Sequence, residues 1–286
     1  MINLKILMIG DIVGEGGIRK CKEVVPEYVR NNNINFVIAN GENASDGMGI
    51  NSKIFNTLME TGIDVVTMGN HTWGKKDIFN ILDDERLIRP ANYSRNVPGH
   101  GYGIYEVNGK KIAVMNLIGR VDMTILTENP FIIAEDIINE IKNKADMIIV
   151  DFHAEATAEK IAMGYFLDGK VTAVLGTHTH VVTADEEILE KGTAYITDIG
   201  MTGPKKSVIG MEIEASIKRF LTALPERYKV SDDKKVVLNG CLLEINDLTC
   251  RVEKIERIII WYFDEISVFC AMKTSFFYQK HIDIWY

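Results

Sequence analysis

The chain has 286 residues, 47% of them hydrophobic and 25% charged, proportions of a folded globular protein rather than a disordered one. Its net charge of −8 excludes a general duplex-binding surface, which carries a basic excess, and leaves a small anion to be met by metal or a local arginine. No apolar run reaches the roughly 18 residues of a spanning helix, and the nearest candidate, IIIWYF at 258–263, is stopped by Asp264 and Glu265. The cysteines at 21, 241, 250 and 270 contain no CxxC pair, and MINLKILMIGD lacks the basic n-region and cleavage site of a signal peptide. The expectation is a cytoplasmic protein with free thiols, no membrane contact and no duplex nucleic acid.

In chain order, Leu4 to Ile9 is a short apolar run ending in Gly10-Asp11, and Asn35 to Ala39 is another, ending in Asn40-Gly41-Glu42-Asn43. Between them, Gly17 to Asn31 carries apolar residues at helical spacing, which makes a β-loop-α-β unit. Ile54 to Glu60 reads as helix, Asp64 to Met68 as a strand ending in Gly69-Asn70-His71, and Lys76 to Leu82 as the next helix. Tyr102 to Val107 and Lys111 to Leu117 flank Asn108-Gly109, the signal of a hairpin. Ala134 to Lys144 is helical, Met147 to Asp151 a strand ending at Phe152-His153, and Glu155 to Tyr165 helical. Val171 to Leu175 is a strand ending at GTHTH, and Ala194 to Thr197 is a last inner strand.

Asp11, Glu42, Asn43, Asn70, His71, His153, His178 and His180 all follow apolar runs, at the same ends of five predicted strands. Loops converge and ligands bind at that edge of an α/β sheet. His178 and His180, at i and i+2, share a face of extended chain and can reach one small object. Taken singly, each residue has an ordinary use: Asp11 as a helix cap, Asn70, Glu42 and Asn43 as turn residues, His153 in a core. Together they offer imidazole nitrogens, carboxylates and amide oxygens, a set that suits Mn, Fe or Zn better than Ca or Mg. Seven candidate ligands are too many for one tetrahedral ion and suit two ions sharing a carboxylate, which would also acidify a bound water.

These residues resemble the calcineurin-like metallophosphoesterase superfamily. Within it, GDIVGEGG (10–17), NGENASDGMGI (40–50), MGNHTW (68–73), NLIGRVDM (116–123), DFHAEATAEK (151–160), GTHTHV (176–181) and TDIGMTGP (197–204) resemble the bacterial YmdB-type branch, from the N-terminus to about Ile258. The resemblance implies a four-layer α/β/β/α sandwich and hydrolysis of small phosphodiesters, foremost 2′,3′-cyclic nucleotides, through a metal-bridging hydroxide. It implies two divalent or mixed-valence transition-metal ions, with iron expected and manganese able to substitute. Asp11, Asn43 and His180 would hold the first ion and Asn70, His153 and His178 the second, with Glu42 bridging and His71 as proton donor to the leaving oxygen. Two positions depart from the wider superfamily: Asp11-Ile12-Val13 lacks the histidine of Asp-x-His, and Gly41-Glu42-Asn43 stands where many members carry Gly-Asp. Both fit the branch and bear on metal identity rather than fold.

Arg120, after the strand ending near Asn116, either pairs bidentately with a substrate phosphate or is a surface arginine. Gly14-Glu15-Gly16-Gly17 lacks the spacing of a nucleotide loop and is expected to let the backbone pass close to the metal centre. His100 and His281 belong to none of the blocks. The expected organisation is a metallophosphoesterase domain over 1–258 and an aromatic-rich extension over 259–286, which is an extra helix packed on the body, a self-association patch or an end with no selected role; in the last case its deletion should leave hydrolysis intact. Two other functions fit the same residues: a regulatory protein that binds metal and cyclic nucleotide with incidental turnover, and a phosphomonoesterase or protein phosphatase. A homo-oligomer is compatible with any of them.

Overall fold

The computed structural model describes residues 3–94, 96–227 and 229–261. In chain order they form β1 (Asn3–Ile9), β2 (Asp11–Ile12), α1 (Gly14–Asn32), β3 (Phe36–Asn40), α2 (Ser52–Glu60), β4 (Val65–Thr67) and β5 (Leu87–Ile88). There follow β6 (Tyr102–Val107), β7 (Lys110–Ile118), α3 (Pro130–Ile141), β8 (Met147–His153), α4 (Thr157–Leu167), β9 (Ala173–Thr177), β10 (Glu187–Ile188) and β11 (Ala194–Ile196). The described chain closes with β12 (Met201–Pro204), α5 (Ile213–Thr222), β13 (Val236–Asn246) and β14 (Val252–Ile260).

Side chains alternate between the faces of a strand, and here the alternation sorts the core into three layers. Leu4, Ile6 and Met8 of β1 join Phe36 and Ile38 of β3, Met147 and Ile149 of β8, and Ala173 and Leu175 of β9 in one cluster between two sheets. Leu7 and Ile9 face the other way, onto Ile18, Cys21, Val24 and Val25 of α1 and Phe55 and Leu58 of α2. Ile148, Val150 and Phe152 of β8 pack outward on Ala134, Ile138 and Ile141 of α3 and Met163 and Leu167 of α4. Helices outside and two sheets inside make the expected four layers.

One sheet runs β2-β12-β13-β1-β3-β4-β5, with β14 also on β13; the other runs β10-β11-β9-β8-β7-β6. β1, β3, β4 and β5 are parallel to one another, as are β7, β8, β9 and β11. The five polar strand ends therefore do not share one sheet. Those after β1, β3 and β4 rise from the first sheet and those of β8 and β9 from the second, so the candidate site straddles the sheet interface.

The Asn108-Gly109 hairpin forms as predicted, with φ of 51° and 75°. Other expectations are corrected. The strand expected over Ala194–Thr197 is not the last inner one, because β13 follows it and its Gly240–Asn246 stretch pairs with all of β1, Asn3 opposite Asn246 and Ile9 opposite Gly240. Lys76–Asn80 forms only a short 3-10 segment, with no side-chain cap at its start. Gly14 to Gly17 is the first turn of α1 rather than a loop; its backbone does pass beside the cluster, the Gly14 N–H donating to the Asn43 carbonyl at 3.0 Å, and a Cβ on Gly17 would lie 2.3 Å from the Thr202 carbonyl oxygen.

β14 carries the chain past residue 258, pairing Ile259 with Asn239 and Ile260 with Leu238. The extension beyond residue 261, with Cys270 and His281, lies outside the described residues. Cys21, Cys241 and Cys250 are free thiols. Among the described residues no helix is long and apolar enough to cross a membrane.

Candidate metal centre

Asp11 opens β2 directly after Gly10, Glu42 and Asn43 occupy the turn after β3, and Asn70 and His71 follow β4. His153 is the last residue of β8, and His178 and His180 follow β9. Asp11, Glu42, Asn43 and His153 are buried, whereas Asn70, His71, His178 and His180 are partly exposed, so the group has a closed floor and an open rim.

Nε2 of His153 is the focus. Asn70 Oδ1 lies 2.9 Å from it, His178 Nδ1 3.0 Å and Glu42 Oε1 3.1 Å. Glu42, His153 and His178 each offer a ligand atom within 4.8 Å of the others. A second group lies beside them: Nε2 of His180 is 3.1 Å from Asn43 Nδ2 and 3.8 Å from Asp11 Oδ1. Asp11 Oδ2 accepts the His178 backbone N–H at 3.2 Å, while Oδ1 is buried with no hydrogen-bond partner. Gly69 makes the crowding feasible, because a Cβ there would lie 2.4 Å from both Glu42 Oε2 and His153 Nε2.

So many lone pairs, with an orphaned carboxylate oxygen, need a cation between them, and the mixed N/O donor set fits a transition metal. Without metal, the chain supplies a proton. Burial alone would push the His153 imidazole down, but the Glu42 carboxylate, then Asp11 and Asp151, outweigh it and hold the group up at about 9. His178 goes the other way, to about 3, through burial and then the His153 charge. Burial would raise Glu42, yet His153 and His71 leave it well below the usual carboxylate range. Burial dominates at Asp11, which is raised.

An ion at this position needs a neutral His153 and so must displace the proton. The proton is bound below the raised value of about 9. Metal affinity is therefore expected to climb about tenfold per pH unit from neutrality and to flatten as pH passes that value. Calorimetric titration with Mn²⁺ in buffers of different ionisation enthalpy should show about one proton released at pH 7.5 as the ion at His153 binds; an affinity that falls with rising pH would contradict the assignment.

The rings are fixed from behind. Nδ1 of His180 donates to the Ile209 carbonyl at 2.8 Å, which leaves Nε2 facing Asp11 and Asn43. Nε2 of His178 lies 2.9 Å from Glu155 Oε2, which leaves Nδ1 facing His153. Both histidines have positive φ, 101° at His178 and 66° at His180, costly for a residue with a Cβ. A buried ion pair holds this backbone: Lys160 Nζ donates to Asp198 Oδ2 at 2.6 Å and to the Thr177 carbonyl at 2.7 Å, and Asp198 Oδ2 accepts the Thr179 N–H at 3.0 Å.

Asn43 offers its oxygen to His71 Nδ1 at 2.8 Å and its nitrogen to Glu42 and His180 at 3.1 Å. Ligation through the oxygen would require the amide to turn over. His71 sits at the rim, its backbone N–H on Glu42 Oε2 at 2.9 Å. Arg120 is exposed, and its backbone N–H donates to the Glu159 carboxylate at 3.0 Å. Its side chain makes no hydrogen bond or ion pair among the described residues and is not brought into the group. Sequence reasoning missed Glu155, Lys160, Asp198 and Asp151. For Asp151 a signal existed, since it sits two residues before His153 on one strand and so shares its face.

Residues 7–258 match the family model described as YmdB-like protein. The chain is 49% identical over 258 residues to the 2′,3′-cyclic-nucleotide 2′-phosphodiesterase of Bacillus subtilis (strain 168), covering 90% of this chain and 97% of that protein. It is similar to the crystal structure of a Mycoplasma pneumoniae protein described as a novel phosphatase, with a TM-score of 0.86 and 39% identity over 91% of this chain and 94% of that one. A Staphylococcus aureus chain given as a candidate 5′-nucleotidase shares the fold alone, with a TM-score of 0.61 and 16% identity over 92% of this chain and 55% of that one. The two-sheet architecture is that of the calcineurin-like metallophosphoesterases. With the family model spanning nearly all the described residues, the chain belongs to the YmdB-like protein family.

Proposed function

We propose that the chain is a metal-dependent phosphodiesterase of small phosphodiesters, 2′,3′-cyclic nucleotides foremost. That it is a hydrolytic phosphoesterase follows from its relatives; the substrate class rests on the name carried by the Bacillus subtilis relative. The observation that carries the metal dependence is the convergence of Asn70, His178 and Glu42 on His153 Nε2 beside the unpartnered Asp11 Oδ1.

In this reading Asp11, Asn43 and His180 hold one ion, Asn70, His153 and His178 the other, and Glu42 lies between them. Iron or manganese suits the donors. When bound, such ions supply positive charge to the phosphoryl oxygens and acidify water enough for attack near neutral pH. The chain's own residues do the rest. Gly69 and the turned backbone at His178 and His180 let the ligands close on one small volume. His71 stands at the rim, within 3.5 Å of the Glu42 carboxylate and with Nδ1 on Asn43. Its proton goes to the 2′-oxygen as the P–O2′ bond breaks, water's oxygen is added to phosphorus, and the 3′-phosphate is left on the ribose. Arg120 is a candidate partner for a phosphoryl oxygen if its exposed side chain swings inward.

His71→Ala should keep the wild-type metal content by elemental analysis while kcat on 2′,3′-cyclic AMP falls by about 10²–10⁴-fold. Unchanged kcat would remove His71 from its role. Faster turnover of phosphomonoesters than of cyclic diesters would favour the phosphatase reading, for which the Mycoplasma pneumoniae relative speaks.

A further inference from the structure

The layer between the two sheets is apolar until its last position. On the inner face, Phe36 and Ile38 lead to Asn40, Val65 to Thr67, Met147 and Ile149 to Asp151, and Ala173 and Leu175 to Thr177. All four polar residues are fully buried, and they meet on one carboxylate. Asp151 Oδ1 accepts from the Thr177 hydroxyl at 2.7 Å, and Oδ2 accepts from the Thr67 hydroxyl and from Asn40 Nδ2 at 3.1 Å. Asn40 and Thr67 belong to the first sheet, Asp151 and Thr177 to the second.

Thr177 has one hydroxyl proton. If Asp151 receives it, the same oxygen, 2.9 Å from His153 Nδ1, can only accept there. Nδ1 must then carry a proton, and Nε2 is the nitrogen left for Asn70, His178 and Glu42. On the other side, Asn40 Oδ1 accepts the Glu42 backbone N–H at 3.1 Å. Asp151 is thus one residue removed from both His153 and Glu42. An apolar side chain would join the sheets at lower desolvation cost, so a buried carboxylate here points to orientation rather than adhesion.

We propose that Asp151 is a positioning residue that fixes the His153 ring through Thr177 and the Glu42 turn through Asn40, so that both present their donor atoms to a bound ion. The inference rests on the reading of His153 as a ligand.

The test is Mn²⁺ binding by the full chain, followed by the electron paramagnetic resonance signal of free Mn²⁺, with the melting temperature measured alongside. Thr177→Val keeps the shape and removes the hydroxyl. It is expected to weaken the ion held at His153 by about 10–100-fold and leave the other less affected, whereas Asp151→Asn, which also releases the Glu42 turn, is expected to weaken both. Thr177→Ser, which keeps the hydroxyl, should bind like wild type. In Thr177→Val, a purely structural role would lower the melting temperature and weaken both ions alike. If Asp151→Asn does not fold, the Thr177 pair decides. Folded Thr177→Val that binds both ions like wild type overturns the inference and leaves the proposed function standing; a wild-type chain that binds no Mn²⁺ overturns both.

Discussion

Glu42→Ala should lose both metal loading and turnover, the largest expected effect of any single change at the site. The carboxylate is buried, with one oxygen 3.1 Å from His153 Nε2 and Asn43 Nδ2 and the other 2.9 Å from the His71 backbone N–H. Its side chain touches members of both candidate ligand groups and His71. Removing it deletes the main source of the raised His153 basicity and leaves the His71 N–H without its acceptor. The transition-state charge stabilisation that bound ions provide is worth several kcal/mol. At about 1.4 kcal/mol per factor of ten, the rate should drop by at least about 10³-fold. Elemental analysis and kcat on one preparation check this; full metal content with kcat within about tenfold of wild type would contradict the central position of Glu42.

Asp198→Ala should be the most destabilising of the changes considered. Lys160 and Asp198 are 1% and 0% exposed. Without the carboxylate, the Lys160 ammonium keeps only the Thr177 carbonyl, and the Thr179 and Gly200 N–H groups lose their acceptor. Breaking a buried pair from one side costs about 3–5 kcal/mol, a fall in melting temperature on the order of 10 °C for a domain of this size. Replacing both members, as Lys160→Met with Asp198→Ala, removes the stranded charge and should recover part of the stability. Metal affinity should not recover, because the strained backbone at His178 and His180 has lost its tether. A double variant with wild-type affinity would show that the pair serves stability alone.

The two variants mark where sequence was informative and where it was not. Each strand that ends in a site residue is a short apolar run closed by Gly, Asn or Asp, and such runs are local features. β13 has a local partner in β14, but its place in the first sheet comes from β1, more than 200 positions away, Asn3 opposite Asn246, and pairing of that range leaves no periodic trace. Gly240 and Asn239 also interrupt its apolar pattern. The division of five strand ends between two sheets was invisible for the same reason. Lys160 reads as an ordinary polar residue near a helix start; only the packing of α4 on β9 and the turn after β11 turns it toward Asp198. Lys76 to Leu82 reads as a helix in the sequence, whereas the chain forms only a 3-10 segment over Lys76–Asn80.

The most direct measurement is release of adenosine 3′-monophosphate from 2′,3′-cyclic AMP by manganese-reconstituted protein, beside a chelated sample of the same preparation. The account predicts turnover of about 1 s⁻¹ or faster, lost on chelation and restored by Mn²⁺. Two bound ions per chain with no turnover, or turnover that survives complete removal of metal, would contradict it.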